Sequence, residues 1–249
     1  MSTLSIITIV LNKEDSIEET LQSVIFQLEP EDEFIVIDGG SSDKTTSIIQ
    51  KYRNKITHYI SEPDQGIYDA MNKGINLANG DLIGILNGGD TYTSGALKIA
   101  REFEGDVLTG NMLKWDRKRN RKQLIKRDER FLKRLPGFMV INHPATFVSK
   151  AIYDQFGSFN CNYKILGDKD FFLRLLHQQV KFTFTQQTLA VFETGGISGK
   201  LSSIPLQVME AFRIRKNLGY GFFKNLSLSL TYITHRTAKG ALRLLTRSM

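Results

Sequence analysis

Apolar residues in the first half of the chain alternate between short runs and a helical spacing. Four strands are predicted from apolar runs at 4–11, 34–38, 56–60 and 82–86. Between them, apolar positions recur every three or four residues and predict helices at 16–26, from 44 to about 52, and at 66–77. Short apolar strands joined by helices favour a mostly parallel sheet covered on both faces. The pattern therefore predicts an α/β fold.

The second half of the chain is less regular. Its first predicted elements are a helix at 94–103, one or two strands at 107–115, and a hairpin or loop at 117–134. Further strands are predicted at 146–149, 181–185 and 189–193, with a helix at 169–177. From residue 203 onward the pattern is helical, and Gly219-Tyr220-Gly221 separates two helices. We expect one domain over 1–204 and an amphipathic helical extension over 205–249.

Composition narrows the class of protein. The chain has 249 residues, 41% of them hydrophobic, and a single cysteine, Cys161, which excludes an internal disulfide. No apolar run reaches the roughly 18 residues that a membrane-spanning helix needs. We expect a soluble or surface-attached protein in the reducing cytoplasm.

The net charge of +7 is unevenly distributed. The first 113 residues carry eight basic and eighteen acidic side chains, whereas 114–134 carry eleven basic and three acidic ones. An acidic first half argues against nucleic acid as a partner and favours a cation.

The last segment, 205–249, has eight basic residues and one acidic residue. Its apolar residues fall near one helix face: Phe222, Leu226, Leu230, Ile233, Ala241 and Leu245. Such a helix suits the surface of an anionic membrane, and it equally suits packing on its own core or on a partner subunit.

Two aspartates follow apolar strands of the predicted sheet. Asp38 ends the second strand, and Asp90 ends the fourth after the turn Asn87-Gly88-Gly89. Ligands of open α/β sheets bind beyond the carboxyl ends of the strands, so we expect both carboxylates in one crevice. Asp38 can accept hydrogen bonds from a nucleoside, and Asp90 suits a cation, with capping of a nearby helix as its alternative. Asp43 is interpreted as a helix cap.

The segment 61–74 is dense in polar groups and has two interpretations. Asp64 can cap the following helix, while Asn72 or Lys73 can reach a nucleotide or a phosphate. Asp69 and Lys73 are also spaced for an ordinary ion pair on one helix. Both interpretations can hold together.

Several motifs together resemble family 2 glycosyltransferases of the GT-A fold. In the first half they are the strand that leads to Asn12 and the segments 36–45, 61–74 and 86–90. In the second half they are 143–148, 156–160, 167–175 and Gly195-Gly196-Ile197-Ser198. The resemblance covers roughly the first 200 residues, and the motifs are specific as a set rather than one by one.

The resemblance implies an inverting, non-processive transfer of one sugar from a nucleoside-diphosphate sugar, with UDP favoured, to a glycan or lipid-linked glycan. It divides the domain into a sugar-nucleotide-binding half, 1–113, and an acceptor half, 114–204. Asp168 becomes the catalytic base, with Asp170 as the second candidate, and Asp90 the metal ligand. The implied nucleotide contacts are Thr8, Val10, Asn12, Asp38, Asp64, Asn72, Lys73, Asn87 and Gly88.

The relatives that the motifs resemble make bacterial exopolysaccharide, capsule and O-antigen, so a cell-surface polysaccharide is the expected product. The expected location is the cytoplasm, with peripheral contact on the inner face of the cytoplasmic membrane. A homodimer is compatible with the sequence. The Gln-x-x-Arg-Trp motif of processive synthases is absent, which favours one sugar per encounter. His143 is too isolated for a zinc site.

The expected metal site departs from the family pattern. Where relatives often have Asp-x-Asp, this chain reads Asn87-Gly88-Gly89-Asp90 and offers one certain carboxylate. Mg²⁺ or Mn²⁺ fits if the nucleotide supplies further oxygens, so we expect weak metal binding to the empty protein. The rival hypothesis is a catalytically silent sugar-nucleotide-binding protein.

Overall fold

The computed structural model describes residues 1–245, with the side chains of all of these except 197 and 239–245. The strands are β1 (Leu4–Val10), β2 (Glu33–Asp38), β3 (His58–Ser61), β4 (Leu82–Asn87), β5 (Thr91–Tyr92), β6 (Val107–Asp116), β7 (Arg121–Ile125), β8 (Thr146–Ser149) and β9 (Phe182–Glu193). The α-helices are α1 (Ile17–Ile25), α2 (Thr45–Gln50), α3 (Ile67–Leu77), α4 (Ala96–Arg101), α5 (Lys150–Phe156), α6 (Gly167–His177), α7 (Ile204–Asn217) and α8 (Phe222–Leu245).

The strands form one mixed sheet in the order β3-β2-β1-β4-β8-β6-β9-β5. Strands β3, β2, β1 and β4 run parallel, as the alternation of strands and helices predicts. Strand β8 is antiparallel to both of its neighbours, and β6 runs parallel to β9 and pairs with β7 in a hairpin. The predicted α/β fold is confirmed.

Helices cover both faces of the sheet. On one face, Ile7 and Ile35 pack in a core with residues of α3, α5, α6 and α7. On the other face, Leu4 and Ile6 pack in a core with residues of α1, α2 and α4. Every residue of β1 is buried, which explains why its sequence is an apolar run rather than an alternation.

Helices α7 and α8 differ in how they pack. Helix α7 contributes Ala211 and Ile214 to the core of the sheet domain, as one of the sequence interpretations expected. Helix α8 turns polar side chains inward: Asn225 and Ser229 are buried and hydrogen-bonded to Arg215 of α7. Three residues of its predicted apolar stripe, Phe222, Leu226 and Leu230, instead face outward, and Ile233 is half-buried. The side chains of the other two, Ala241 and Leu245, lie outside those that the structure describes.

The exposed stripe of α8 begins at the start of the helix. Phe222, Phe223, Leu226 and Leu230 are 64%, 84%, 40% and 55% exposed. Within residues 1–245, no helix combines the length and the apolar character that crossing a membrane requires.

The second half departs from the prediction in three places. Strand β9 is one long strand where two were predicted, because the exposed pair Gln186 and Gln187 lies inside the strand and resembles a break in the sequence. Helix α5 and the two-residue strand β5 were not predicted, since both are too short to show a period. The basic segment forms the β6–β7 hairpin followed by a 3-10 helix at Glu129–Arg134.

Candidate active site

The carboxyl end of β1 is tied to the loop that follows β2. Asn12 has a left-handed backbone, and its side-chain oxygen accepts a hydrogen bond from the Ser42 N–H at 2.8 Å. The Asn12 N–H donates to the Ser41 hydroxyl. Thr8 and Val10 are buried within the sheet, and the Thr8 hydroxyl has no partner among the described residues.

Asp38 is completely buried, and its carboxylate is held by its own surroundings. It accepts hydrogen bonds from the Ser41 N–H and hydroxyl and from the Ser61 hydroxyl at 2.6 Å. Asp64 lies over the neighbouring Gly39, where a Cβ atom would collide with the Asp64 carboxylate. The structure therefore brings Asn12, Asp38 and Asp64 to one edge of the sheet.

Asn72 and Lys73 on α3 have partners inside the protein. The side-chain amide of Asn72 donates to the Phe159 carbonyl oxygen at 2.8 Å and accepts from the Phe159 N–H at 3.0 Å. Lys73 pairs with Glu62 at 2.7 Å and with Asp69 at 3.4 Å. These contacts account for both residues without a nucleotide, and their contact with one stays a prediction.

Asp90 lies in a buried turn at the end of β4. Its Oδ1 accepts a hydrogen bond from the Glu193 N–H at 2.9 Å, and its Oδ2 accepts one from the Asn87 amide at 3.3 Å. Burial raises the pKa of Asp90 to about 7. Gly88 closes the turn against β1, because a Cβ atom there would lie 2.8 Å from the Val10 side chain.

Glu193, at the end of β9, supplies a second carboxylate beside this turn. A Cβ atom on Gly89 would collide with Glu193 Oε2. The same oxygen lies 3.9 Å from the Lys13 ammonium group. Its Oε1 accepts a hydrogen bond from Arg117 at 3.2 Å. The sequence interpretation missed Glu193, although an acidic residue closing a predicted strand is the signal that singled out Asp90.

The turn is suited to a hard divalent cation. Two buried oxygens, Asn87 Oδ1 and Glu193 Oε2, have no hydrogen-bond partner among the described residues, and the Asp90 carboxylate lies beside them. Oxygen donors of this kind fit Mg²⁺ or Mn²⁺. No group of three or more His, Cys, Asp or Glu side chains gathers in the part of the chain that the structure describes. The protein therefore offers few charged ligands, and substrate phosphates and water would complete the coordination.

Asp168 lies in the first turn of helix α6, next to Tyr68 of α3. The Tyr68 hydroxyl lies 2.8 Å from the Ile165 carbonyl oxygen and 3.3 Å from Asp168 Oδ1. Burial raises the pKa of Asp168 to about 6. A carboxyl whose pKa lies near neutral pH is well suited to accept a proton there. A Cβ atom on Gly167 would lie 2.7 Å from the Tyr68 ring, so the close approach requires glycine.

Helix α7 holds the segment that leads to Asp168. The buried carboxylate of Glu210 accepts hydrogen bonds from three consecutive N–H groups, those of Lys164, Ile165 and Leu166, at 2.7, 3.1 and 2.9 Å. The carbonyl oxygen of Ser198 accepts hydrogen bonds from Gln207 of α7 and Arg236 of α8. Helices α7 and α8 thus hold the segment before the 167–175 motif and the motif that contains Ser198.

The other candidates have structural partners. Asp170 pairs with Arg174 one turn along α6, at 3.0 Å. His143 is packed against Phe159 and Phe172, and burial lowers its pKa to about 4, so its imidazole is neutral at physiological pH. Asp43 was predicted to cap α2, but the N-cap is Lys44, one residue later. Asp43 instead accepts a hydrogen bond from the Thr45 N–H in a turn that leads into the helix.

Known proteins of similar sequence include glycosyltransferases. A PGL/p-HBAD biosynthesis glycosyltransferase of Mycobacterium bovis is 28% identical over 210 residues, which cover 79% of each chain. The S. aureus TarS 1-349 structure in complex with UDP-GlcNAc is 18% identical with a TM-score of 0.66, over 93% of this chain and 71% of that one.

A second solved structure, the mannosyltransferase PcManGT from Pyrobaculum calidifontis in complex with GDP-Man and Mn2+, is 15% identical with a TM-score of 0.65, over 99% of this chain and 79% of that one. These likenesses confirm the GT-A fold. The family model for Glycosyl transferase family 2 matches residues 5–176. The chain belongs to glycosyl transferase family 2.

Proposed function

We propose that the protein transfers a single sugar, with inversion, from a nucleoside-diphosphate sugar to a hydroxyl of a glycan or lipid-linked glycan in the synthesis of a cell-surface polysaccharide. The observation that carries the proposal is the half-buried carboxylate of Asp168, with its raised pKa and its contact with the Tyr68 hydroxyl, at the start of α6. UDP is the favoured nucleotide, because one structural neighbour binds UDP-GlcNAc, although another binds GDP-Man.

The donor would lie at the carboxyl ends of β1, β2 and β4. The nucleoside would meet the loops of Asn12, Asp38 and Asp64, and the diphosphate would approach the turn Asn87–Asp90. A divalent cation, Mg²⁺ or Mn²⁺, held by Asp90 with Asn87 and Glu193, would neutralise the charge of the leaving diphosphate. The polar residues that frame this edge support the assignment.

Asp168 would act as the general base. As the acceptor oxygen attacks the anomeric carbon, its proton passes to the Asp168 carboxylate, and the bond from that carbon to the diphosphate oxygen breaks. Attack from the face opposite the leaving group inverts the configuration. The Tyr68 hydroxyl and the Lys169 N–H, which donates to Asp168 Oδ1 at 2.8 Å, support the carboxylate in its charged form.

The exposed face of α8 supports peripheral contact with an anionic membrane. Phe222, Phe223, Leu226 and Leu230 face outward on a chain segment, 211–245, that contains no acidic residue. Basic side chains beside an apolar face suit lipid head groups above an acyl layer. A lipid-linked acceptor would then be presented at the same surface. A second copy of the chain is the alternative occupant.

Calorimetric titration with UDP-, GDP- and dTDP-sugars, with and without Mg²⁺ or Mn²⁺, tests the enzymatic proposal. We expect one donor class to bind and, in the presence of an acceptor extract, to release its nucleotide as the sugar is transferred. Binding without any transfer would favour the silent sugar-nucleotide-binding protein. Absence of binding by every donor would refute both.

Sedimentation with vesicles at low salt tests the membrane contact. We expect binding to vesicles with anionic lipid, little binding to neutral ones, and loss of binding in the double variant Phe222→Ser, Phe223→Ser. The matched control is Phe26→Ser, because Phe26 is 81% exposed but lies at the end of α1. Dimerisation through the same face, lost in the double variant and insensitive to lipid, would replace the membrane as the partner.

A further inference from the structure

Lys169 is a buried lysine beside the proposed base. Its side chain lies on the first turn of α6 with 2% of its surface exposed. Among the residues whose side chains are described, it makes no side-chain hydrogen bond and no ion pair. An ammonium group that is largely shielded from water and has no anionic partner is disfavoured. Burial, together with the nearby positive charge of Arg215, lowers the pKa of Lys169 to about 7.

The neighbouring cation is also without an anionic partner. Arg215 is completely buried, and its guanidinium donates to neutral oxygens: the side chains of Asn225 and Ser229, both at 2.6 Å, and the Pro136 carbonyl at 2.9 Å. Two basic groups, one on α6 and one on α7, therefore lie close together, with no carboxylate paired to either in the described part of the chain.

The nearby acidic residues are engaged elsewhere. Glu210 accepts three backbone N–H groups, and Asp170 pairs with Arg174. Asp168 attracts Lys169 electrostatically, but its Oδ1 receives the Lys169 N–H and the Tyr68 hydroxyl. No carboxylate among the described residues is therefore hydrogen-bonded to the Lys169 ammonium group, and an anion could bind there.

We propose that Lys169 binds an oxyanion of the acceptor, a phosphate or a carboxylate, next to the hydroxyl that Asp168 activates. An oxyanion would supply a negative charge and the hydrogen-bond acceptors for the ammonium group. A cation is excluded by repulsion from Lys169 and Arg215. The donor diphosphate is assigned to the turn at Asp90 on β4, whereas Lys169 lies on α6 at the acceptor side. The inference rests on the proposed function and narrows the acceptor to an anionic one.

The test measures anion binding directly, with inorganic phosphate and with glucuronate titrated into the full chain in the presence of a chelator. The variant Lys169→Met removes the charge and keeps a similar shape, and Lys169→Arg keeps the charge. The matched control is Lys181→Met, because Lys181 is an exposed lysine just beyond α6. We expect about tenfold weaker binding for Lys169→Met only, as removal of one charge-assisted hydrogen bond predicts.

The two anions distinguish the chemistry of the acceptor. Stronger binding of phosphate points to a phosphorylated or lipid-phosphate acceptor, and stronger binding of glucuronate points to an acidic sugar. Binding of neither anion, or equal binding by wild type and Lys169→Met, overturns the inference. The proposed function is tested separately by titration with UDP-sugars, so a failure there and a failure here give different results.

Discussion

Tyr68 and Asp168 are in contact across the two halves of the domain, with the tyrosine hydroxyl 3.3 Å from the Asp168 carboxylate. Tyr68 belongs to α3, which follows the predicted nucleotide loops, and Asp168 begins α6 about one hundred residues later. Burial raises the pKa of Asp168, and the hydrogen bond from Tyr68 opposes that rise. The hydroxyl therefore favours the deprotonated form of the carboxyl that is proposed to act as the base.

The change Tyr68→Phe tests this contact. Without the hydroxyl, the pKa of Asp168 should rise further, so the acidic limb of the profile of kcat/KM against pH should move to higher pH. At neutral pH we expect a loss of about threefold to tenfold, the scale of one hydrogen bond. The control is Tyr153→Phe, a buried tyrosine that stacks on Phe171. Equal shifts in both variants would contradict a specific role for Tyr68.

Asp168→Asn should abolish transfer and leave donor binding nearly intact. General base catalysis contributes about 10²–10⁴-fold, and an amide cannot accept the proton. Turnover of the purified variant is compared with its affinity for the donor by calorimetry. Asp170→Asn is the companion variant, and it should lose stability rather than chemistry, because it leaves Arg174 without its partner. Retained transfer by Asp168→Asn would assign the base to another residue.

The free energy of unfolding should depend on pH because of the raised pKa of Asp168. Its pKa of about 6 lies above the value of 3.8 for the free side chain, so the folded protein binds this proton more tightly than the unfolded chain. Stability is then lost as pH rises from about 4 to about 6, and the loss persists at higher pH. Asp168→Asn should be more stable than wild type at pH 7.5 by about 1 to 3 kcal/mol.

Denaturant unfolding of both proteins at pH 4.5 and pH 7.5 measures this difference. A difference in stability that is the same at the two pH values would show that Asp168 has an ordinary pKa.

Glu193→Gln tests whether Glu193 supplies a second carboxylate to the metal ion that is proposed to bind at the turn Asn87–Asp90. In the presence of the nucleotide, the affinity for Mn²⁺ should fall about tenfold in Glu193→Gln and further in Asp90→Asn, because each change removes an anionic oxygen. Mn²⁺ binding is measured by the electron paramagnetic resonance signal of the free ion, with UDP present. The matched control is Glu19→Gln, because Glu19 shares Arg117 with Glu193 but belongs to α1. Equal losses in Glu19→Gln and Glu193→Gln would assign the effect to Arg117.

Periodicity predicted the first half of the fold well, because its strands are buried on both faces and its helices repeat apolar residues over two or more turns. Strand β9 could not be predicted as one element, since its middle is exposed and polar. The inverted packing of α8 was equally hidden. Its inward residues include Asn225 and Ser229, which hydrogen-bond to the buried guanidinium of Arg215. That partner is not visible in the periodicity of the helix.

The candidate site divides in the same way. Asp90 follows a local pattern, a strand end, and could be singled out from it. Asp168 was singled out by the family resemblance, because its place at a helix start also fits an ordinary first-turn carboxylate. Glu193 ends a predicted strand, as Asp90 does, and could have been singled out in the same way. Lys169 could not, because its significance depends on burial. Asp38, Asn72 and Lys73 were singled out as ligands, and the structure gives each of them partners within the protein.

The inner and outer faces of α8 have different roles. Asn225 and Ser229 anchor the helix to Arg215, while Phe223 and Leu230 on the outside are 84% and 55% exposed. Substitutions on the outer face should therefore leave the melting temperature almost unchanged. The outer residues can vary to suit a different surface while the inner ones keep the helix in place, so attachment and folding can be engineered independently.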